Sequence, residues 1–434
     1  MSAPTVEAAW LAASVPGILT TLWVALQWCR RHQTAEGWAA ACIFLAIGLI
    51  YLLSSLTTAR SPLSGSQFPH YARLAEALLQ GRLDLQEPLF EVATHQGRIY
   101  VLEPLGPAIF MLPFVAIWGR AFSDTLFLIL VGALNAALVF RLWPKVMAWH
   151  QEERWPAGAA YWLTGLFALG TPHWYLAIAG RVWHVEGVMT ACCVLVAIHE
   201  ALGRGRVALV HAWLGFSFLC HPPMVFSAPF FWLVLGHRLY REGRPPGRIL
   251  RSLGGGVAVL GTVIAVGWGW YNTLRFGNPF EAGQTQVYLS DVAHNVCPPY
   301  GLMSLQHMPR HIWTALLRPP LPLRPHFPFL GVDYHGFSLF WTTPAFLYIF
   351  LAGCRRLLSV AAWSGAVLVL CCLLLYHHHG ATQFGYRWVL DVLPFLLILA
   401  ALGMQRCRWR MARPLIVLSV GVNLIGVIWF YTSH

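Results

Sequence analysis

Charge is what this chain has least of. Only 11% of its 434 residues are Asp, Glu, Lys or Arg, less than half the share of about 25% usual in a soluble domain. Lysine is nearly missing: Lys145 stands alone, and every other basic residue is Arg. The ten Cys contain no C-x-x-C pair, so neither a zinc site nor a redox pair is indicated. Cys42, Cys192, Cys193, Cys371 and Cys372 lie inside apolar runs and read as small apolar residues. No G-x-x-x-x-G-K, G-x-S-x-G or G-x-G-x-x-G occurs, which leaves ATP-driven transport and α/β-hydrolase chemistry without a motif. No long linker or internal repeat divides the chain.

Apolar sequence fills the space. The chain is 57% hydrophobic with mean hydropathy +0.58, and apolar runs of about 20 residues recur, the signature of a polytopic helical membrane protein. The expected fold is an all-α polytopic bundle of about 12 transmembrane helices forming one domain. The expected spans are 9–28, 37–57, 123–142, 157–177, 184–201, 207–220, 222–237, 252–272, 336–353, 357–376, 388–403 and 414–432. The pair 207–220 and 222–237 is short and meets at a His221-Pro222-Pro223 corner. Glu7 precedes the first run, and Arg30 and Arg31 follow it, which reads as a retained span that starts outside.

The run 105–118, between Pro104 and Gly119, is different. Its 14 residues reach about 21 Å as a helix, short of a hydrocarbon core of about 30 Å. We expect it to lie re-entrant or along the surface. On that topology one face collects 18 of the basic residues against five acids, and the other keeps 11 basic and 12 acidic. The 18-basic face is then cytoplasmic, both termini face outward, and the net charge of +12 is a membrane-topology signal, not a nucleic-acid footprint.

Two large polar segments fall on the outer face, 58–122 and 273–335, with shorter ones at 178–183 and 377–387. In the first, residues 68–80 place Phe68, Tyr71, Leu74, Ala75, Leu78 and Leu79 on one stripe, an amphipathic helix suited to the interface. Glu91, Glu103 and His70 are candidate catalytic groups, because a partly desolvated carboxylate can orient or deprotonate a nucleophile. Ordinary loop ion pairs are the alternative. Arg82, Arg98, Arg181, Arg275 and Arg387 stand beside apolar runs on that face and suit phosphate recognition, or snorkel to headgroups. His184 and Glu186 follow Arg181 closely, and Asp391 lies four residues after Arg387. These three are candidates for substrate contact or for local ion pairing and packing. The run His377-His378-His379 does not read as a metal site, since consecutive residues diverge on a helix.

The stretches HYARLAEALLQGRLDL and EVATHQGRIYVLEPLGPAIFMLPFVAIWG resemble the first outer loop of bacterial family-39-like GT-C glycosyltransferases. YNTLRFGNPFEAG (271–283), GLMSLQHMPRHIWTALLRPP (301–320) and QFGYRWVLDVLPF (383–395) resemble the same family. Its members include relatives of the protein O-mannosyltransferases and the lipid A aminoarabinose transferase. The resemblance covers most of residues 50–400. It implies a site on the outer face, a polyprenyl-phosphate sugar donor entering from the membrane, and a first-loop carboxylate acting on the acceptor. Glu91 occupies the place where close relatives tend to carry Asp. The early position usually taken by an acid reads Ser64-Gly65-Ser66-Gln67 here. Tyr100 and Tyr386 lie within the matching stretches and join the substrate-binding candidates. The expected activity is an inner-membrane glycosyltransferase using lipid-linked sugar, with membrane lipids around it and no nucleic-acid partner. A non-catalytic flippase for lipid-linked glycans and a glycan ligase are the alternatives.

Overall fold

The computed structural model describes residues 35–58, 61–149, 155–286, 300–320, 325, 335–407 and 409–432. The expected span 9–28 lies outside them. Among the described residues seven helices are long and apolar enough to cross a membrane.

In chain order the first is α1 (Ala35–Ser55), followed by the short α2 (His70–Leu79). A hairpin of β1 (Val92–His95) and β2 (Arg98–Val101) comes next, then α3 (Gly106–Trp118). The long α4 (Asp124–Trp149) leads to α5 (Ala159–Leu169) and α6 (His173–Ala177), then α7 (Val182–Leu202), α8 (Val207–Cys220) and α9 (Ala228–Arg241). Next, α10 (Pro246–Ile264) runs through a wide turn into α11 (Tyr271–Phe276). The rest is α12 (Met308–Ile312), α13 (Leu339–Thr342), α14 (Leu357–Leu374), α15 (Val389–Arg406) and α16 (Trp409–Thr432).

Proline and glycine set the breaks. The expected run 157–177 divides into α5 and α6 at Gly170-Thr171-Pro172, because proline removes a helical donor and restricts the residue before it. The run 222–237 starts as a 3₁₀ stretch over Pro222–Ser227, and 336–353 splits at Pro344 into α13 and another 3₁₀ stretch, Pro344–Leu351. The hairpin has no counterpart in the expected all-α fold. Its turn, Gln96-Gly97, has φ of 50° and 73°, the mirror-type turn that matches strand twist. Val92 pairs with Val101 and Ala93 with Tyr100.

Helix α15 is the centre of the bundle: all of its residues from Val389 to Met404 are buried. It packs on α7, α14 and the Pro344–Leu351 segment. Helix α10 is peripheral, with only Gly256 and Leu260 buried along its length. Aromatic residues fill much of the core, among them Trp143, Tyr51, Phe167, Phe230, Phe395 and Phe430.

Long-range bonds gather the polar segments at one end of the bundle. The Asp124 carboxylate, at the start of α4, accepts from Ser66 N and Ser66 Oγ, each at 2.7 Å. Ser123 Oγ donates to Pro62 O at 2.8 Å, and Gly180 N donates to Thr125 Oγ1 at 3.1 Å. Arg275 Nη1 donates to Val101 O at 2.7 Å, which ties α11 to the hairpin. His377 N donates to Leu302 O at 2.9 Å, and Tyr376 Oη donates to Gln284 Oε1 at 3.2 Å.

Candidate functional site

At that end, α2 and α3 press on each other, and α3 lies against the last turn of α8. A Cβ on Gly106 would come within 2.6 Å of the Leu219 backbone. Only glycine permits this approach, which seats the start of α3, three residues after Glu103, against the end of α8. The corner residue that follows α8 is His221. Its backbone is extended, with φ −150° and ψ 113°, as the following proline demands.

His221 is held between two carboxylates from two other helices. Its Nδ1 makes a short hydrogen-bonded ion pair with Asp391 Oδ2 of α15. Its Nε2 lies 3.6 Å from Glu186 Oε1 of α7. Gly187 helps close this gap, since a Cβ there would already sit 3.3 Å from Leu390. Asp391 keeps 2% of its side-chain surface exposed, while Glu186 and His221 each keep 14%. The two acids use opposite nitrogens of one ring, so they address the ring and do not converge on a common ion. Among the described residues no group of three or more His, Cys, Asp or Glu is arranged to hold a metal.

Glu103 completes the charged cluster from the loop side. It is buried, and its Oε2 has no hydrogen-bond partner. Burial raises its pKa well above the usual carboxylate range, and the like charges of Glu186 and Glu91 push the same way. Tyr71, also buried with an unpartnered hydroxyl, lies within reach of the Glu186 and Glu103 charges. Glu91 sits before β1 with φ of 53°, a conformation few side chains adopt. Loss of water around its carboxyl raises its pKa, opposed by the charge of Arg387 and a hydrogen bond from Trp183.

Arg387 is the cation that faces this group. Its charge acts on Glu91, Glu103 and Glu186. The guanidinium lies between the rings of Trp183 (5.8 Å) and Trp388 (5.9 Å). Among the described residues its side chain makes one long hydrogen bond, Nη1 to Ala381 O at 3.4 Å. That leaves donor capacity for an anion.

The other candidates are placed differently. Arg275 is buried, with Nη1 on Val101 O, Nη2 on Asn272 Oδ1 (2.6 Å) and its plane over the Tyr271 ring (3.9 Å). It acts as a clamp between helix and hairpin. Arg82 donates to Gln80 Oε1 and Asp84 O, and belongs to a separate recess with Arg73, Glu76, Glu87 and Arg120. Those groups already pair with one another. Arg98 is exposed at the end of the hairpin, opposite His95. Arg181 lies over the Phe430 and Tyr431 rings, and His184 is buried edge-on to Tyr175. Tyr100 is buried against Phe276, and the Tyr386 hydroxyl is 3.3 Å from His311 Nδ1. His70 is buried, its Nε2 2.5 Å from Phe90 O, and burial lowers its pKa. It therefore serves as a neutral donor that holds the residue before Glu91.

Sequence reasoning missed His221, Trp183 and Tyr71. The available signal was the His-Pro-Pro corner itself, a polar residue locked between two apolar helices.

No family model matches the chain, and no curated protein matches it. Two solved structures of ArnT from Cupriavidus metallidurans do. The form bound to undecaprenyl phosphate has TM-score 0.50 and 16% identity, over 91% of this chain and 63% of that one. The apo form has TM-score 0.46 and 16% identity, over 87% and 61%. The chain thus spans less than two thirds of the length of the proteins it matches. The likeness is one of fold: this chain has the all-α, polytopic architecture of ArnT.

Proposed function

We propose that the chain is a membrane glycosyltransferase of the GT-C type, moving a sugar from a polyprenyl-phosphate donor to an acceptor at the loop end of the bundle. The observation that supports it most is Arg387. It is a partly buried guanidinium with donors to spare, flanked by two indoles, and its charge acts on Glu91, Glu103 and Glu186. The solved ArnT structure contains undecaprenyl phosphate, which makes a lipid phosphate the first ligand to test here.

In this reading Arg387 holds the donor phosphate, and Glu91, in the first loop, orients the acceptor hydroxyl or amine. Stabilising the departing phosphate is the larger task, because charge gathers there as the glycosidic bond breaks. The acceptor group attacks the anomeric carbon, and polyprenyl phosphate leaves with the bonding electrons. Trp183 and Trp388 keep the guanidinium partly dry, which strengthens its attraction for a phosphate.

The test is transfer of label from radiolabelled polyprenyl-phosphate sugars in membranes containing the full chain. Arg387→Gln should lower turnover by about 100-fold or more, the usual cost of one oxyanion-type donor. Glu91→Gln should lower it as well. Unchanged turnover in both variants would sink this assignment.

A further inference from the structure

We propose that Glu186 takes the proton from the attacking group, and that His221, locked by Asp391, is the positioning residue that aims Glu186 and faces it with a positive charge. The proposal rests on the transferase reading above. The acceptor O–H or N–H attacks the anomeric carbon through its lone pair, and the carbon–oxygen bond to phosphate breaks. Its electron pair leaves with polyprenyl phosphate, and the acceptor proton passes to Glu186. Atoms and charge then balance without any other reactant.

Geometry singles out Glu186 among the four acids. Asp391 is spent on the His221 ring and is almost fully enclosed. Glu103 is buried without a partner on Oε2, and no cation faces it as closely as His221 faces Glu186. Glu91 stands on a strained loop residue. Glu186 is carried in the first turns of a long helix, a more rigid mount, and is partly exposed. It also faces a cation, since His221 Nε2 lies 3.6 Å from its Oε1.

The chain of support is continuous. Pro222 fixes the backbone of His221. Asp391 Oδ2 accepts a hydrogen bond from Nδ1–H, which sets which nitrogen faces Glu186, as an orienting carboxylate does for a catalytic imidazole. The charged and titratable groups facing Glu186 are His221 from the α8 corner, Asp391 from α15, Arg387 ahead of it, Glu103 before α3 and Tyr71 from α2.

The experiment uses the purified full chain in liposomes, with a panel of radiolabelled undecaprenyl-phosphate pentoses and hexoses and extracted membrane lipid as acceptor. Glu186→Gln should cut kcat by about 100-fold while KM for the donor stays within about threefold. Glu186→Asp should recover part of the loss. His221→Gln should cut kcat by about 10-fold and move the acid limb of its pH profile upward, because a cation beside the carboxylate is gone. If Glu186→Gln does not fold, the acid limb of His221→Gln decides. An active wild type with Glu186→Gln within about threefold of it overturns the proposal alone. So does a His221→Gln loss that is equal at every pH, which marks a structural role. A wild type that transfers no sugar from any donor overturns the transferase reading, and this proposal with it.

Discussion

His221 and Asp391 are 170 residues apart in sequence and form an ion pair on which two helices of the bundle converge. The pair is buried on the Asp391 side. Breaking one partner of such a pair leaves an uncompensated charge, at a cost of about 3–5 kcal/mol. Removing both leaves neither member of this pair orphaned, and besides it only the longer 3.6 Å contact to Glu186 is lost. Asp391→Ala should therefore lower the melting temperature more than the double change Asp391→Ala with His221→Leu. Thermal unfolding of the two in detergent checks this. Strictly additive losses would show that the residues are not coupled.

Glu103 gives a pH dependence with a definite sign. Its folded pKa is raised above its unfolded value, chiefly by burial. A raised acid contributes stability that is full below the unfolded pKa and is lost as pH rises through the folded one. The wild type should thus lose melting temperature as pH rises above the ordinary glutamate value. Glu103→Gln keeps the shape and removes the ionisation, so its melting curve should be flatter over that window. A variant that loses stability as steeply as wild type would mean that another group titrates.

The sequence made the class of fold legible because hydropathy depends on composition over about 20 residues, and no tertiary contact alters it. Breaks within runs were harder. Gly170-Thr171-Pro172 reads as a tolerated kink until its neighbours are known. The hairpin escaped notice because its strands have four residues each and Gln-Gly is a weaker turn signal than Asn-Gly. In the site, Glu91, Glu103, Glu186, Asp391 and Arg387 could be named from charge near apolar runs. Their grouping could not, since it depends on close approaches such as Gly106 on Leu219 and Gly187 on Leu390. The acid-free stretch at Ser64-Gly65-Ser66-Gln67 has a tertiary counterpart: the Asp124 carboxylate reaches Ser66 from another helix.

Gly106 tests whether α3 sets the position of the His221 corner. An added methyl would meet backbone atoms of Leu219 at 2.6 Å and Cys220 N at 2.8 Å, and backbone cannot rotate away. Gly106→Ala should destabilise the chain by about 1–3 kcal/mol, the usual cost of overpacking. It should also lower transfer more than a change of equal stability cost elsewhere, because the displaced helix carries the corner. Comparing it with Gly165→Ala, where a Cβ meets nothing within 4 Å, isolates the effect. Equal melting temperatures for the two would contradict the close approach.

His70 holds the loop that presents Glu91. Its Nε2 and the Phe90 carbonyl are 2.5 Å apart, and the next residue, Glu91, has φ of 53°. A non-glycine residue in that region costs of order 1 kcal/mol or more and persists only when its surroundings impose it. Phe68, Phe90 and Trp183 pack around the same point, with ring centroids 5.0–6.3 Å apart. His70→Phe keeps an aromatic ring and removes the donor, so the fold should survive while Glu91 relaxes. We expect kcat to fall by about 10-fold with donor KM little changed, because an interaction made only during the reaction would be lost. Acid has the same target. Burial holds His70 neutral by lowering its pKa, so its contribution to stability is present above the unfolded value and lost as pH falls through the folded one. Below about pH 6 the wild type should weaken more than His70→Phe, and melting temperatures of the two across that range give the answer.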